Sequence, residues 1–172
     1  MNAIHVVVMG VAGCGKSAVG GRIAQALGLP LVEGDEFHPA GNIDKMKRGL
    51  ALGDEDRTGW LDRLALELAR HPAGAVLTCS ALKRAYRDRL RAAAPVLRFV
   101  HLQLSQDEAL RRVQARGGHF YPPSLVASQF EALEDPAGEP GVLGVDAGLP
   151  LDAVAGQVLG WLRPEGNEFN NP

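Results

Sequence analysis

Hydrophobic and polar positions follow each other in blocks that switch between a strand period and a helix period. Residues 4–9 form a short β-rich apolar run closed by Gly10, the pattern of a strand buried on both faces. In residues 16–27 the apolar positions Val19, Ile23, Ala26 and Leu27 share one helical face, and Gly28 supplies the stop. Leu31 and Val32 make a brief second strand running into Glu33-Gly34-Asp35, and residues 43–48 a short helix stopped by Gly49. Residues 54–70 read as a longer helix, with Asp54 as its N-cap and Trp60, Leu61, Leu64 and Leu68 along one side. Strands are expected at 75–79, 97–104 and 142–145, and helices at 107–115, 124–133 and 151–162. Gly117, Gly118, Pro122 and Pro123 interrupt the pattern and mark a loop.

Strands separated by helices need crossover connections, so the spacing predicts an α/β protein with a parallel sheet and helices on both faces, three layers in all. Neither a repeat nor a linker divides the chain, which predicts one domain over residues 1–163. Residues 164–172 are polar, without periodicity, and are expected to be a disordered tail. The N-terminus lacks a basic segment followed by a long apolar stretch, and no apolar run approaches membrane-spanning length, so a cytoplasmic protein without membrane contact is expected.

A formal charge of −2 provides no field for nucleic acid. The nearest basic run, residues 83–91, has five basic residues against Asp88. Leu82, Tyr86 and Leu90 recur through it at helical spacing, so it reads as an amphipathic helix with a solvated basic face. The two cysteines, Cys14 and Cys79, have no metal-ligand or paired spacing and fit as small apolar groups beside strands.

The strongest chemical signal is Gly10-Val11-Ala12-Gly13-Cys14-Gly15-Lys16-Ser17, a full G-x-x-x-x-G-K-[ST] motif between an expected strand and an expected helix. Its glycines let backbone N–H groups and a helix N-terminus converge on phosphate oxygens. Lys16 then neutralises the β- and γ-phosphates of ATP, and the Ser17 hydroxyl is a ligand for Mg²⁺. Glu33 and Asp35 end the second strand, where open α/β sheets bind ligands. One of these carboxylates is a candidate for hydrated Mg²⁺ and the other for a base that takes the proton of an attacking hydroxyl; a polar turn with capping acids is the plainer alternative. His38 is placed to hydrogen-bond a hydroxyl-rich molecule, or is simply a turn residue before Pro39.

Those blocks, together with Asn42-Ile43-Asp44-Lys45-Met46, Asp54 to Leu61, Cys79 to Lys83 with Tyr86-Arg87, Ala115 to Phe120, Gln129 to Glu134 and Val145-Asp146, resemble the gluconokinase family over nearly the whole chain. The His38-Pro39 and Ser80-Ala81-Leu82-Lys83 blocks separate that family from shikimate and adenylylsulfate kinases. The resemblance implies a nucleoside-monophosphate-kinase-like fold with sheet order 2-3-1-4-5 and a lid at about 117–124. It implies phosphorylation of D-gluconate by ATP with Mg²⁺, feeding the pentose phosphate or Entner–Doudoroff route, commonly in a homodimer. On it, Arg57, otherwise a surface ion pair with its acidic neighbours, is assigned to the acceptor carboxylate. Ser80, Lys83, His119 and Gln129 are assigned to the acceptor, Arg112 and Asp146 to the nucleotide, and Arg116 to the moving phosphoryl group. Asp35 is the expected base, and Glu33 the expected Mg²⁺ partner through water. Other members often carry aspartate where this chain has Glu33.

Overall fold

The computed structural model describes residues 3–116 and 121–163. Among them five strands form one parallel sheet, β1 (Ile4–Met9), β2 (Leu31–Glu33), β3 (Gly74–Thr78), β4 (Leu97–Gln103) and β5 (Val142–Asp146), in the order β2-β3-β1-β4-β5. This is the order that the resemblance implied. Central β1 has Val6, Val7, Val8 and Met9 fully buried, as an apolar run without alternation requires when helices cover both faces.

On one face, α1 (Lys16–Leu27), α5 (Gln106–Ala115) and α7 (Leu151–Leu162) enclose a core around Val6, Val8, Ile23, Val100 and Val158. On the other, α3 (Asp54–Arg70) and α4 (Arg84–Ala93) enclose a second core around Val7, Met9, Trp60, Leu64, Leu77 and Phe99. The shorter α2 (Ala40–Lys47) and α6 (Ser124–Ala132) flank the C-terminal edge of the sheet, where the crossover loops gather. Every helix and strand anticipated from periodicity is present, with ends displaced by up to three residues at α2.

Three local expectations are corrected. Glu33 to Asp35 does not stay extended: Gly34–Phe37 is a 3₁₀ turn, closed by His38 N–H donating to Asp35 O at 3.4 Å. Asp54 is not the cap of α3. Gly53 is the N-cap, and Asp56 turns back to accept its N–H at 2.8 Å, which leaves Asp54 available for side-chain partners. The basic face of α4 is not wholly solvated. Arg87 is fully buried, donating to Glu139, to the carbonyls of Ala81 and Leu82, and to that of Glu134. A buried guanidinium needs such a complete set of acceptors to offset desolvation.

Candidate active site

The loop after β1 wraps as the motif demands. Gly10, Gly13 and Gly15 all have positive φ, and at Gly10 a Cβ would strike Cys14 Sγ and the Leu102 carbonyl. Gly15 leads directly into α1, so the loop's N–H groups and the helix N-terminus face the same space. Lys16 Nζ lies over this loop, donating to the carbonyls of Gly10 and Val11 at 3.1 and 3.2 Å. Cys14 is buried beneath it.

Register fixes the neighbouring acids. Glu33 pairs with Thr78 across β2 and β3, and Thr78 Oγ1 donates to Glu33 Oε2 at 2.6 Å. Ser17 Oγ donates to the same oxygen at 3.0 Å. Hydroxyl and carboxylate therefore meet beside Lys16, an all-oxygen pair of the kind that hard divalent cations prefer. The next residue is held through both of its peptide groups: Gly34 N–H donates to Thr78 Oγ1 at 3.3 Å, and the Trp60 indole N–H donates to Gly34 O at 2.7 Å. Asp35 follows directly, with its carboxylate facing His38.

Asp35, Lys16, His38, Arg57, Ser80 and Gln129 line one cleft of about 250 Å³, with Trp60, Met46, Leu125 and Tyr121 as apolar wall. Asp35 is largely exposed to this space, and His38 Nε2 is 3.8 Å from its Oδ1. The His38 ring stacks on Trp60 with centroids 4.2 Å apart, and burial, its largest influence, lowers its pKa. Arg57 is 8 % exposed, so the surface-pair alternative does not apply. Its one side-chain hydrogen bond among the described residues is to Tyr86 Oη at 3.4 Å. Tyr86 in turn donates to Asp54, which Lys83 Nζ also reaches at 2.9 Å. These bonds, Tyr86's first, hold the Asp54 carboxyl below its usual range. The guanidinium thus rests over Tyr86, its Cζ 5.4 Å from the ring centroid, and lines the cleft.

Not every expected residue reaches the cleft. Lys83 is held outside it by Asp54, and Arg116, at the C-terminal end of α5, is exposed and outside the lining. Arg112 ties α5 to the phosphate loop through Gly13 O at 3.4 Å and to the loop after β5 through Ala147 O at 2.9 Å. Asp146 accepts the Gly148 N–H in that same loop. Gln129 Oε1 accepts the Ala12 N–H at 2.7 Å, joining α6 to the phosphate loop. His119, residues 117–120 of the expected lid, and the 164–172 tail lie outside the described residues. Cys79, buried at the end of β3, has its thiol pushed up to about 12, chiefly by desolvation, which fits an apolar role.

Thr78, Tyr86 and Trp60 read in the sequence as strand or helix-face residues, but all three have polar duties at the site. The β2–β3 register, which sets Thr78 beside Glu33, was the one signal that could have found the first of them.

A parallel sheet of this order, with a phosphate loop after its first strand and an acceptor cleft at the tip of its second, defines a P-loop kinase. The family profile described as AAA domain matches residues 6–140. The chain is 43% identical to the thermosensitive gluconokinase of Escherichia coli K12 over 88% of its own length and 83% of that protein's. With the gluconokinase of Gluconobacter oxydans the identity is 42%, over 93% of this chain and 92% of the other. The crystal structure of a gluconokinase from Sinorhizobium meliloti 1021 superposes with a TM-score of 0.87 at 46% identity, covering 94% of this chain and 92% of that one. The chain belongs to the gluconokinase family.

Proposed function

We propose that this protein transfers the γ-phosphoryl group of ATP to a hydroxyl of D-gluconate, giving 6-phosphogluconate and ADP. The observation that carries the reading is the pairing of Lys16 with Asp35 and Arg57 in one cleft. A phosphate-binding ammonium, a candidate base and a nearly buried guanidinium stand together, matching a hydroxylated molecule with a carboxylate at one end. The family relatives add independent support.

Asp35 takes the proton of the attacking hydroxyl and leaves its oxygen as the nucleophile. Lys16 and the loop N–H groups hold the β- and γ-phosphates and stabilise charge as the phosphoryl group moves in line. Arg57 binds the carboxylate end, with Tyr86 fixing the plane of its fork. Ser80, His38 and Gln129 line the space left for the other hydroxyls. Ser17 and Glu33 fit a Mg²⁺ ion, Glu33 through water, and the ion when bound neutralises the phosphate oxygens. Arg112 and Asp146 shape the nucleotide side. Arg116, His119 and a lid at about 117–124 complete the site in this reading, as the sequence resemblance implies. A cytoplasmic homodimer belongs to the same reading, and sedimentation velocity tests the dimer. No helix among the described residues is long and apolar enough to cross a membrane.

The test is ADP release in the presence of ATP and Mg²⁺ across gluconate, other sugar acids, glucose and shikimate. Gluconate should raise the rate far above the acceptor-free background. Equal rates with and without every acid would remove the reading and leave a slow nucleotide-hydrolysing switch.

A further inference from the structure

Asn42 is 5 % exposed, near the start of α2, and its side-chain amide meets two acceptors. Nδ2 lies 2.8 Å from the Asp56 carbonyl oxygen and 3.3 Å from His38 Nδ1. A carbonyl oxygen can only accept, which fixes this end of the amide as NH₂, and both of its hydrogens are then committed. His38 Nδ1 must answer with a lone pair. The proton of the neutral imidazole therefore sits on Nε2, the nitrogen 3.8 Å from Asp35 Oδ1.

We propose that Asn42 is a positioning residue that holds His38 in the neutral Nε2–H form, so that His38 donates to the same acceptor oxygen whose proton Asp35 removes. The inference rests on reading the cleft as the acceptor site. An oxygen about 2.8 Å from both groups closes a triangle over that 3.8 Å base. Such an oxygen receives Nε2–H in one lone pair and points its own hydrogen at the carboxylate. In the opposite tautomer Nε2 would present a lone pair and compete with Asp35 for the hydroxyl proton. In the imidazolium form the ring would pair with Asp35 and weaken it as a base.

The surroundings oppose that charged form. The side chain is 6 % exposed and stacked on the Trp60 ring. The charged groups acting on it are Asp35 from the 3₁₀ turn, which favours protonation, and Arg57 from α3, which opposes it; burial exceeds both. On the α2 side Asn42 offers Nδ1 only a hydrogen, which a second proton on the ring would have to displace.

The first test is the ¹⁵N spectrum of His38 in the full-length protein without substrate at pH 8. The structure requires a protonated Nε2 and an unprotonated Nδ1; an Nδ1–H tautomer or an imidazolium at that pH would overturn the proposal. The second is Asn42→Asp, whose carboxylate can only accept at this position, so it favours a hydrogen on Nδ1 and the opposite tautomer. Its kcat with gluconate should fall about tenfold or more at pH 8 with little change in KM for ATP. The ¹⁵N spectrum of the folded variant should show a proton on His38 Nδ1 at pH 8, where wild type keeps that nitrogen bare. A kcat deficit in a folded variant whose His38 still shows Nε2–H and a bare Nδ1 would contradict the positioning role and mark Asn42 as a structural tie. The spectrum needs no acceptor, so a failure of the gluconate reading in wild-type assays is separable from a failure here.

Discussion

At the scale of single residues, the proposed mechanism separates proton transfer from acceptor binding. Asp35→Asn keeps size and hydrogen bonding but removes the basic carboxylate, so kcat should fall by ~10²-fold or more while KM for gluconate changes little. Arg57→Ala should instead raise KM for gluconate, by roughly ten- to hundredfold for a lost charge-assisted pair of about 1.5–3 kcal/mol, and weaken the preference for acids over uncharged polyols. Steady-state kinetics with gluconate and a matched polyol read both. A pure KM effect at Asp35, or an undiminished acid preference at Arg57, would reverse the assignment concerned. Much of this was legible beforehand. The phosphate loop announces itself in eight consecutive residues, and Asp35 stands where sheet topology puts ligands. The state of Arg57 was not legible, because a guanidinium beside Asp54 and Asp56 looks like a surface pair until α4 brings Tyr86 against it.

Among the elements, the short pieces between strand and helix decide the geometry, and they were the hardest to foresee. The 3₁₀ turn at Gly34–Phe37 depends on a contact across the sheet. A Cβ on Gly34 would run into the Thr78 carbonyl oxygen, which is backbone and cannot move aside. Gly34→Ala should therefore push the turn off β3 and carry Asp35 with it, lowering kcat well beyond its effect on thermal stability; unchanged kcat in the folded variant would show that the hold on Gly34 does not position the base. Arg87 braces the turn that follows Ser80, a residue of the cleft lining. Ala81, buried and with φ 45, is a non-glycine residue in the left-handed region, and Arg87 holds its carbonyl at 2.8 Å. Replacing Glu139 by Ala leaves that buried guanidinium without its carboxylate and should cost about 3–5 kcal/mol in urea denaturation. Helical spacing gave the apolar side of α4 correctly. It could not distinguish Arg87 from its solvated neighbours, since the partner carboxylate lies 52 residues away.

For the molecule as a whole, periodicity alone predicted a parallel α/β sheet with covered faces, and the family resemblance supplied the strand order that periodicity cannot give. Charge burial sets its pH response. Desolvation, the largest cause in each case, lowers the pKa of His38 and of His101 below the ordinary 6.5, with Arg57 and Arg87 adding to it and Asp35 and Asp135 opposing. Below 6.5 the unfolded chain binds these protons before the folded one does. Their contribution to stability is thus full above that pH and is lost as pH falls toward the depressed folded values. Tm should decline between pH 7 and 5, and His101→Gln should flatten part of the slope; an unaltered slope would exclude His101 as a source. The claim on which all of this converges is transfer between two molecules held in one cleft. Following ATP, Mg²⁺ and gluconate with the wild-type protein by ³¹P NMR tests it most directly. The account predicts ADP and a phosphate monoester on gluconate in equal amounts, with inorganic phosphate near background. Release of inorganic phosphate in place of the monoester would contradict it.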